Sequence, residues 1–232
     1  MTTAIVLAGG LGTRLRAEVP NVPKPMAPIN MRPFLEYLMD YWIDQGVDRF
    51  VLSIGYKSQT IIDHFGSSYK GISLDYVVEE IPLGTGGGLL LALEKVTADK
   101  VLLLNGDTFF PVPLDRLEQF YAEASADCVF SLFEAQEAGR FMGVDIGNGG
   151  EILSLSSNDQ KIGRLANGGV YLLRPKTIKA LSLPKGIKIS LEEDIFAKMM
   201  TQSMHLFGIG FKSIFIDIGV PADYRQCSDI LR

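Results

Sequence analysis

Cysteine, histidine and clustered basic charge are all scarce in this 232-residue chain. Cys128 and Cys227 stand far apart and belong to no CxxC or other metal spacing. They therefore suggest neither a metal site nor a disulfide, and reduced structural thiols are the expectation. The two histidines, His64 and His205, have no partner at triad or metal spacing, so each reads as an ordinary surface or core residue. No Lys/Arg run or basic stripe interrupts a net charge of −5, which argues against a nucleic-acid partner. Phosphate substrates remain compatible with that charge, because a site needs a few local cations and backbone donors, not a basic protein. The opening MTTAIVLAGG has no charged segment leading into an apolar one, so it does not read as a signal peptide. No apolar run reaches the roughly 20 residues that span a bilayer. No membrane insertion is expected, and the expected compartment is the cytoplasm. There is also no linker-like stretch, repeat or low-complexity tract. With 47% hydrophobic residues, the chain can bury one substantial core, and residues 1–232 read as a single domain.

The first half alternates strand-like and helix-like segments. Strands are expected at Thr3–Ala8, Arg49–Ile54, Ser73–Val78 and Lys100–Leu104, and helices at Phe34–Gln45, Ser58–Phe65 and Thr85–Val96. This alternation predicts an α/β fold, a Rossmann-like three-layer sandwich with a central mixed, mostly parallel sheet. In such sheets ligands bind beyond the carboxyl ends of the strands. Three polar or glycine-rich segments fall there: Gly9–Arg14, Glu79–Gly88 and Asn105–Asp107. Their convergence on one rim is the strongest physical pointer to a site. Beyond Asp107 the pattern loosens. Helices are expected at Leu114–Ala124, Leu191–Met200 and Pro221–Leu231. Ser190 and Glu193 form a capping-box pattern before the second of these. Strands are expected at Asp127–Phe133, Gly143–Ile146, Ile152–Leu155, Gly169–Leu173, Phe207–Gly210 and Ser213–Asp217.

The glycines of Leu7-Ala8-Gly9-Gly10-Leu11-Gly12-Thr13-Arg14-Leu15 let backbone N–H groups approach phosphate oxygens. The loop lacks the third glycine of a dinucleotide fingerprint and the Gly-Lys-Ser/Thr of a P-loop. Pro23 and Pro25 flank Lys24 and predict a stiff extended loop. Lysine heads are usually solvated, so Lys24 is expected to contribute to the chemistry more than to stability.

LAGGLGTRL, then PKPM, then Pro33-Phe34-Leu35-Glu36-Tyr37 resembles the signature of the sugar nucleotidyltransferase family. Pro82-Leu83-Gly84-Thr85-Gly86-Gly87, Asn105-Gly106-Asp107, Asn167-Gly168-Gly169-Val170-Tyr171 and Phe215-Ile216-Asp217-Ile218-Gly219 extend the resemblance over most of the chain. The long C-terminal β-helix of some members is absent from this sequence. Within the family, MAPINMRPFLEY, LGTGGG, LNGDTFF and NGGVYLL together look most like the short bacterial guanylyltransferases acting on D-glycero-α-D-manno-heptose 1-phosphate.

The resemblance implies direct in-line attack of a sugar 1-phosphate on the α-phosphorus of a nucleoside triphosphate, with GTP favoured. It implies Mg2+ as cofactor, held by Asp107 and Asp217. Taken alone, Asp107 reads as part of a turn and Asp217 as a strand-end cap; their joint place in the family pattern makes them metal ligands. Arg14 and Lys24 would neutralise the phosphates. Leu7, Ala8, Gly9, Gly10, Gly12 and Thr13 would cradle the nucleotide, and Gly84 and Thr85 would approach base or sugar. Asn167, Gly168 and Glu193 would line the sugar side, with Glu192 and Asp194 as further candidates. The alternative for these three acids is a charged first helical turn. Many relatives place Glu-Lys where this chain reads Ser156-Ser157-Asn158, so Lys161, Arg164 or Lys188 would have to meet the sugar phosphate. Three other readings compete. One is a mannose- or glucose-1-phosphate nucleotidyltransferase. Another is a non-catalytic nucleotide-binding relative, disfavoured by the intact Arg14, Lys24, Asp107 and Asp217. A nucleotide-sugar glycosyltransferase is disfavoured by the missing first acid of an Asp-x-Asp motif. Homo-oligomerisation stays open.

Overall fold

The computed structural model describes residues 2–137, 139–156 and 162–231. Among them, ten strands share one sheet: β1 (Thr2–Ala8), β2 (Val47–Ile54), β3 (Ser68–Tyr69), β4 (Ile72–Val78), β5 (Val101–Asn105), β6 (Cys128–Glu134), β7 (Gly143–Ile146), β8 (Ile152–Ser156), β9 (Leu165–Leu173) and β10 (Leu206–Gly210). The helices are α1 (Phe34–Asp44), α2 (Ser58–Phe65), α3 (Gly84–Ala92), α4 (Leu114–Glu123), α5 (Pro175–Ala180), α6 (Ala197–Thr201) and α7 (Pro221–Ile230). The sheet order is β8-β7-β9-β5-β1-β2-β4-β3, with β6 paired to β9 and β10 to β6. The pairings make β1, β2, β4, β5, β6, β7 and β10 point one way and β3, β8 and β9 the other. The carboxyl ends of the parallel strands thus share a rim, as the alternating pattern predicted.

Burial on both faces explains the near-continuous apolar strands. Ala4, Ile5 and Val6 of β1 are fully buried. On one face Leu35, Leu38 and Trp42 of α1 join Leu114 and Leu117 of α4. On the other, Leu89 and Ala92 of α3 pack with Ile195, Phe196 and Met199. A third cluster seats Phe34 and Tyr37 against Ile216, Ile218 and Cys227, so the C-terminal segment is anchored to α1. Both cysteines are free and buried. Burial, with Asp223 and Asp217 nearby, pushes the Cys227 thiol pKa up to about 12. No helix among the described residues is long and apolar enough to cross a membrane.

Several boundaries differ from expectation. β9 begins at Leu165, not Gly169, because Asn167–Gly169 forms an irregular stretch inside one strand, with Gly169 at φ +72°. The strand expected at Ser213–Asp217 is reduced to Ile216–Asp217. α3 ends at Ala92, and Leu93–Lys95 is a separate tight 3-10 turn. Lys24–Met26 also forms a 3-10 turn, not an extended loop: Pro23 is extended, but its carbonyl accepts from Met26 N at 2.8 Å.

Candidate active site

The rim of the parallel strands encloses a cleft of about 410 Å³, within the size range of small-molecule sites. Its walls are Leu7–Thr13, Lys24 and Pro25, Glu79, Pro82, Gly84 and Thr85, Asn105–Asp107, and Lys188. The three segments singled out by strand polarity therefore do converge. Gly106 ties two of them: its N–H donates to the Leu7 carbonyl at 2.9 Å, and a Cβ on Gly106 would lie 2.7 Å from that oxygen.

Asp217 arrives by a different route. Thr108–Phe109 pairs antiparallel with Ile216–Asp217, placing Asp217 opposite Thr108. Ile218 N–H donates to the Asp107 carbonyl at 3.0 Å. This short ribbon brings the two aspartates to one place. Lys24 stands between them: Nζ donates to Asp107 Oδ2 and lies 3.6 Å from Asp217 Oδ1. One cation-sized position is thus within reach of both carboxylates. Burial, then repulsion from Asp107, pushes the Asp217 carboxyl pKa up, against the pull of Lys24, the Gly219 N–H and Arg14. The Lys24 side chain is 9% exposed, so its head is packed at the cleft and not free in solvent. A lysine this buried is held by its ion pairs.

Arg14 is exposed and does not line the cleft, although Asp217 feels its charge. Asn167 and Gly168 are likewise absent from the lining. Asn167 is engaged at both ends of its amide, donating to Tyr171 Oη at 2.6 Å and accepting from Gly169 N at 3.1 Å. Gly168 is buried, and a Cβ there would come 2.4 Å from the Phe110 ring; its smallness serves packing.

Glu193 is exposed, and its backbone N–H donates to Ser190 Oγ at 3.1 Å. In return the Ser190 N–H donates to Asp194 Oδ2 at 2.7 Å and not to Glu193, because Leu191–Phe196 winds as a wide π-helical turn that shifts the capping partner by one residue. Glu192 does not line the cleft but accepts from Thr85 Oγ1, in the cleft wall, at 3.2 Å. Of the three alternative cations, Lys188 lines the cleft, Arg164 pairs with Asp145, and Lys161 lies outside the described residues, as do Ser157 and Asn158.

Glu79 opens the second of the three rim segments, but its side chain was given no role from the sequence. Its carboxylate lines the cleft, accepting from Ser53 Oγ and Leu83 N, each at 3.0 Å. Its place at the carboxyl end of β4 was the available signal. A second cavity of about 440 Å³ lies among Phe133, Phe141 and Phe215 behind the Asp217 strand. Within it Arg140 is committed to Asp223 and Glu137, and none of the three rim segments reaches it.

Residues 3–232 match the family model described as nucleotidyl transferase. The chain is 38% identical over 229 residues to D-glycero-alpha-D-manno-heptose 1-phosphate guanylyltransferase of Aneurinibacillus thermoaerophilus, covering 99% of this chain and 98% of that protein. It is 37% identical over 221 residues to the protein of the same name from Campylobacter jejuni, covering 95% and 96%. The crystal structure of HddC from Yersinia pseudotuberculosis superposes with a TM-score of 0.88 at 32% identity, covering 100% of both chains. The HddC structure complexed with GMP-PN superposes with a TM-score of 0.87 at 33% identity, again over 100% of both chains.

Proposed function

Because this chain belongs to the nucleotidyl transferase family, we propose that it transfers GMP from GTP to D-glycero-α-D-manno-heptose 1-phosphate, giving GDP-heptose and pyrophosphate. One observation carries the chemistry: Asp107 and Asp217 flank a single cation position at the head of a glycine-walled cleft. The choice of base and sugar is supported by near-full-length relatives named for that reaction and by the related HddC having been crystallised with GMP-PN.

In this reading an acceptor phosphate oxygen attacks the α-phosphorus. A new P–O bond forms as the bond to the bridging oxygen breaks, and pyrophosphate departs with that electron pair. The attacking oxygen is already anionic, so no general base is needed. The problem is charge, and the protein answers it with positioning and fixed electrostatics. The backbone of Leu7–Thr13 cradles the nucleotide, while Gly84 and Thr85 border base and ribose. Lys24 and Arg14 neutralise the phosphates, and Lys188 is the cation for the acceptor phosphate.

A divalent metal is general in this family, and Mg2+ is our assignment for this chain. Magnesium takes one or two carboxylates together with substrate phosphates and water. Asp107 and Asp217, both within reach of one cation position, would supply two carboxylates to such an ion. When bound, the ion would draw charge from the phosphate oxygens and help align the α-phosphate. We place the reaction in the cytoplasm, where GTP is made and held.

The experiment is pyrophosphate release measured with each common nucleoside triphosphate against heptose, mannose and glucose 1-phosphates. GTP with the heptose 1-phosphate should give the highest kcat/KM. A higher value for UTP or TTP would overturn the base, and a higher value for mannose 1-phosphate would overturn the sugar.

A further inference from the structure

Three features meet at one point in the cleft. Lys24 Nζ is bound to Asp107 and stands near Asp217. Gly219 supplies the space. A Cβ on Gly219 would lie 2.0 Å from Lys24 Nζ and 2.8 Å from Asp217 Oδ1, so any side chain there would evict the ammonium. The Gly219 N–H donates to that same Asp217 oxygen at 2.7 Å, fixing the carboxylate against the position the ammonium fills.

The geometry points to a built-in placeholder: the Lys24 ammonium occupies the seat between Asp107 and Asp217, and a divalent cation binds there by displacing it. This inference rests on the assignment of Asp107 and Asp217 as the metal-holding pair.

The physical case is one of charge and reach. Two partly buried carboxylates facing one point repel each other and lose hydration, and an unpaired buried charge is costly. The ammonium compensates them while no metal is present. An ammonium and a divalent ion cannot share the seat, because like charges a few ångströms apart repel strongly at reduced dielectric. Lysine suits such an exchange: its charge is compact and rides on a flexible four-carbon stem. Because Lys24 also lines the cleft, the displaced ammonium stays beside the space for the phosphates. A nucleotide phosphate then offers it a new partner. Metal and nucleotide should therefore promote each other's binding, with the lysine as the coupled element.

Two measurements on the full chain test this. The first is peptide-resolved acylation by acetic anhydride, with and without Mn2+ and with no nucleotide. A lysine locked in an ion pair reacts slowly, and Mn2+ alone should raise acylation at Lys24 several-fold. The second is Mn2+ titration by electron paramagnetic resonance. Lys24→Met should bind Mn2+ about tenfold more tightly than the unmodified protein, as expected on removing a competing like charge. Adding Asp217→Asn should abolish that gain. Circular dichroism establishes that the variants fold, and the acylation result stands on the unmodified chain if Lys24→Met does not. If Mn2+ binding depends on Asp217 but Lys24→Met binds no tighter and Lys24 acylation does not move, the placeholder is wrong and the metal seat survives. If Mn2+ binding is indifferent to Asp217→Asn, the metal seat itself falls and the placeholder with it.

Discussion

Asp223 joins Arg140 to the backbone of Asp217. Its Oδ1 accepts from Arg140 Nη1 at 3.2 Å, and Oδ2 accepts from Arg140 Nη2 and, at 3.3 Å, from Asp217 N. The guanidinium also sits 4.6 Å from the Phe141 ring centroid, and Phe133 stacks on Phe215 nearby with centroids 4.0 Å apart. The pair is partly buried, at 17% and 21% exposed. Its cost on breaking should fall between that of exposed and fully buried pairs, about 2 kcal/mol. Arg140→Ala should therefore lower stability by that amount and also lower turnover, because Asp217 loses a backbone restraint. Arg140→Lys should recover little, since a point charge cannot span both carboxylate oxygens. Urea unfolding beside kcat measures both effects, and an Arg140→Ala variant as stable and active as the parent would refute the link.

Gly84 carries the lip of the cleft at φ +72°, and a Cβ there would lie 2.6 Å from the Ile189 carbonyl oxygen. That oxygen accepts from Gly86 N at 2.9 Å, and Ile189 N–H donates to the Leu83 carbonyl at 2.8 Å. The segment leading to Leu191 is thus clamped on the start of α3. Gly84→Ala should cost about 1–3 kcal/mol in backbone strain. It should also part the clamp beside the nucleotide, raising KM for GTP about tenfold, or about 1.4 kcal/mol. Unchanged KM and melting temperature would show that the lip tolerates a methyl group.

The sequence made the parallel half of the sheet legible because its strands are continuous apolar runs closed by glycines. α2 and β7 have the boundaries that pattern predicted. The rim followed from strand direction alone. Two kinds of feature were not legible. The first is irregular backbone: glycines hid the continuity of β9, and the wide turn at Leu191–Phe196 exchanged Glu193 for Asp194 as capping partner. The second is long-range side-chain pairing, which leaves no local periodicity. Nothing around Lys24 shows that it will be buried between Asp107 and Asp217, and nothing around Arg140 points to Asp223.

Acid should weaken the network around α1 in a defined direction. Burial alone would raise the pKa of Glu36. Hydrogen bonds from His64 and Arg32 outweigh it and hold the carboxyl below its usual value. At Asp40, burial is likewise outweighed, by Lys70 and then Arg32. A depressed folded-state pKa means that the unfolded chain takes up the proton first as pH falls. The stabilisation is therefore present above the ordinary carboxyl values near pH 4 and is lost as pH drops through the lower folded values. Arg32 is 39% exposed, so solvent screening limits its contribution to about 0.5–1 kcal/mol. Arg32→Ala should be less stable than the parent by that amount at pH 7, and the gap should close in acid, as pH falls through the lowered carboxyl values. Urea midpoints at neutral and acid pH decide it, and a gap that persists in acid would mean that Arg32 acts through packing.

Lys188 and Arg164 offer a direct contrast between two candidate cations for the acceptor phosphate. Lys188 is exposed in the wall of the cleft, and its ammonium has no ion-pair partner among the described residues. Arg164 is paired with Asp145, which accepts from Ser154 Oγ at 2.6 Å as part of the β7–β8 edge. A solvated lysine beside a phosphate supplies a charge-assisted contact worth about 1.5–3 kcal/mol. If that contact is equal in the ground and transition states, its loss raises KM and spares kcat. Lys188→Ala should thus raise KM for the sugar 1-phosphate at least about tenfold, with kcat and melting temperature little changed. The effect should shrink as salt screens the exposed charge. Arg164→Ala should show the reverse, a lower melting temperature with KM unmoved. Steady-state kinetics with the sugar phosphate varied at saturating GTP, at low and high salt, separate the two. If KM rises for Arg164→Ala and not for Lys188→Ala, the acceptor phosphate lies on the Arg164 side and the assignment of Lys188 is wrong.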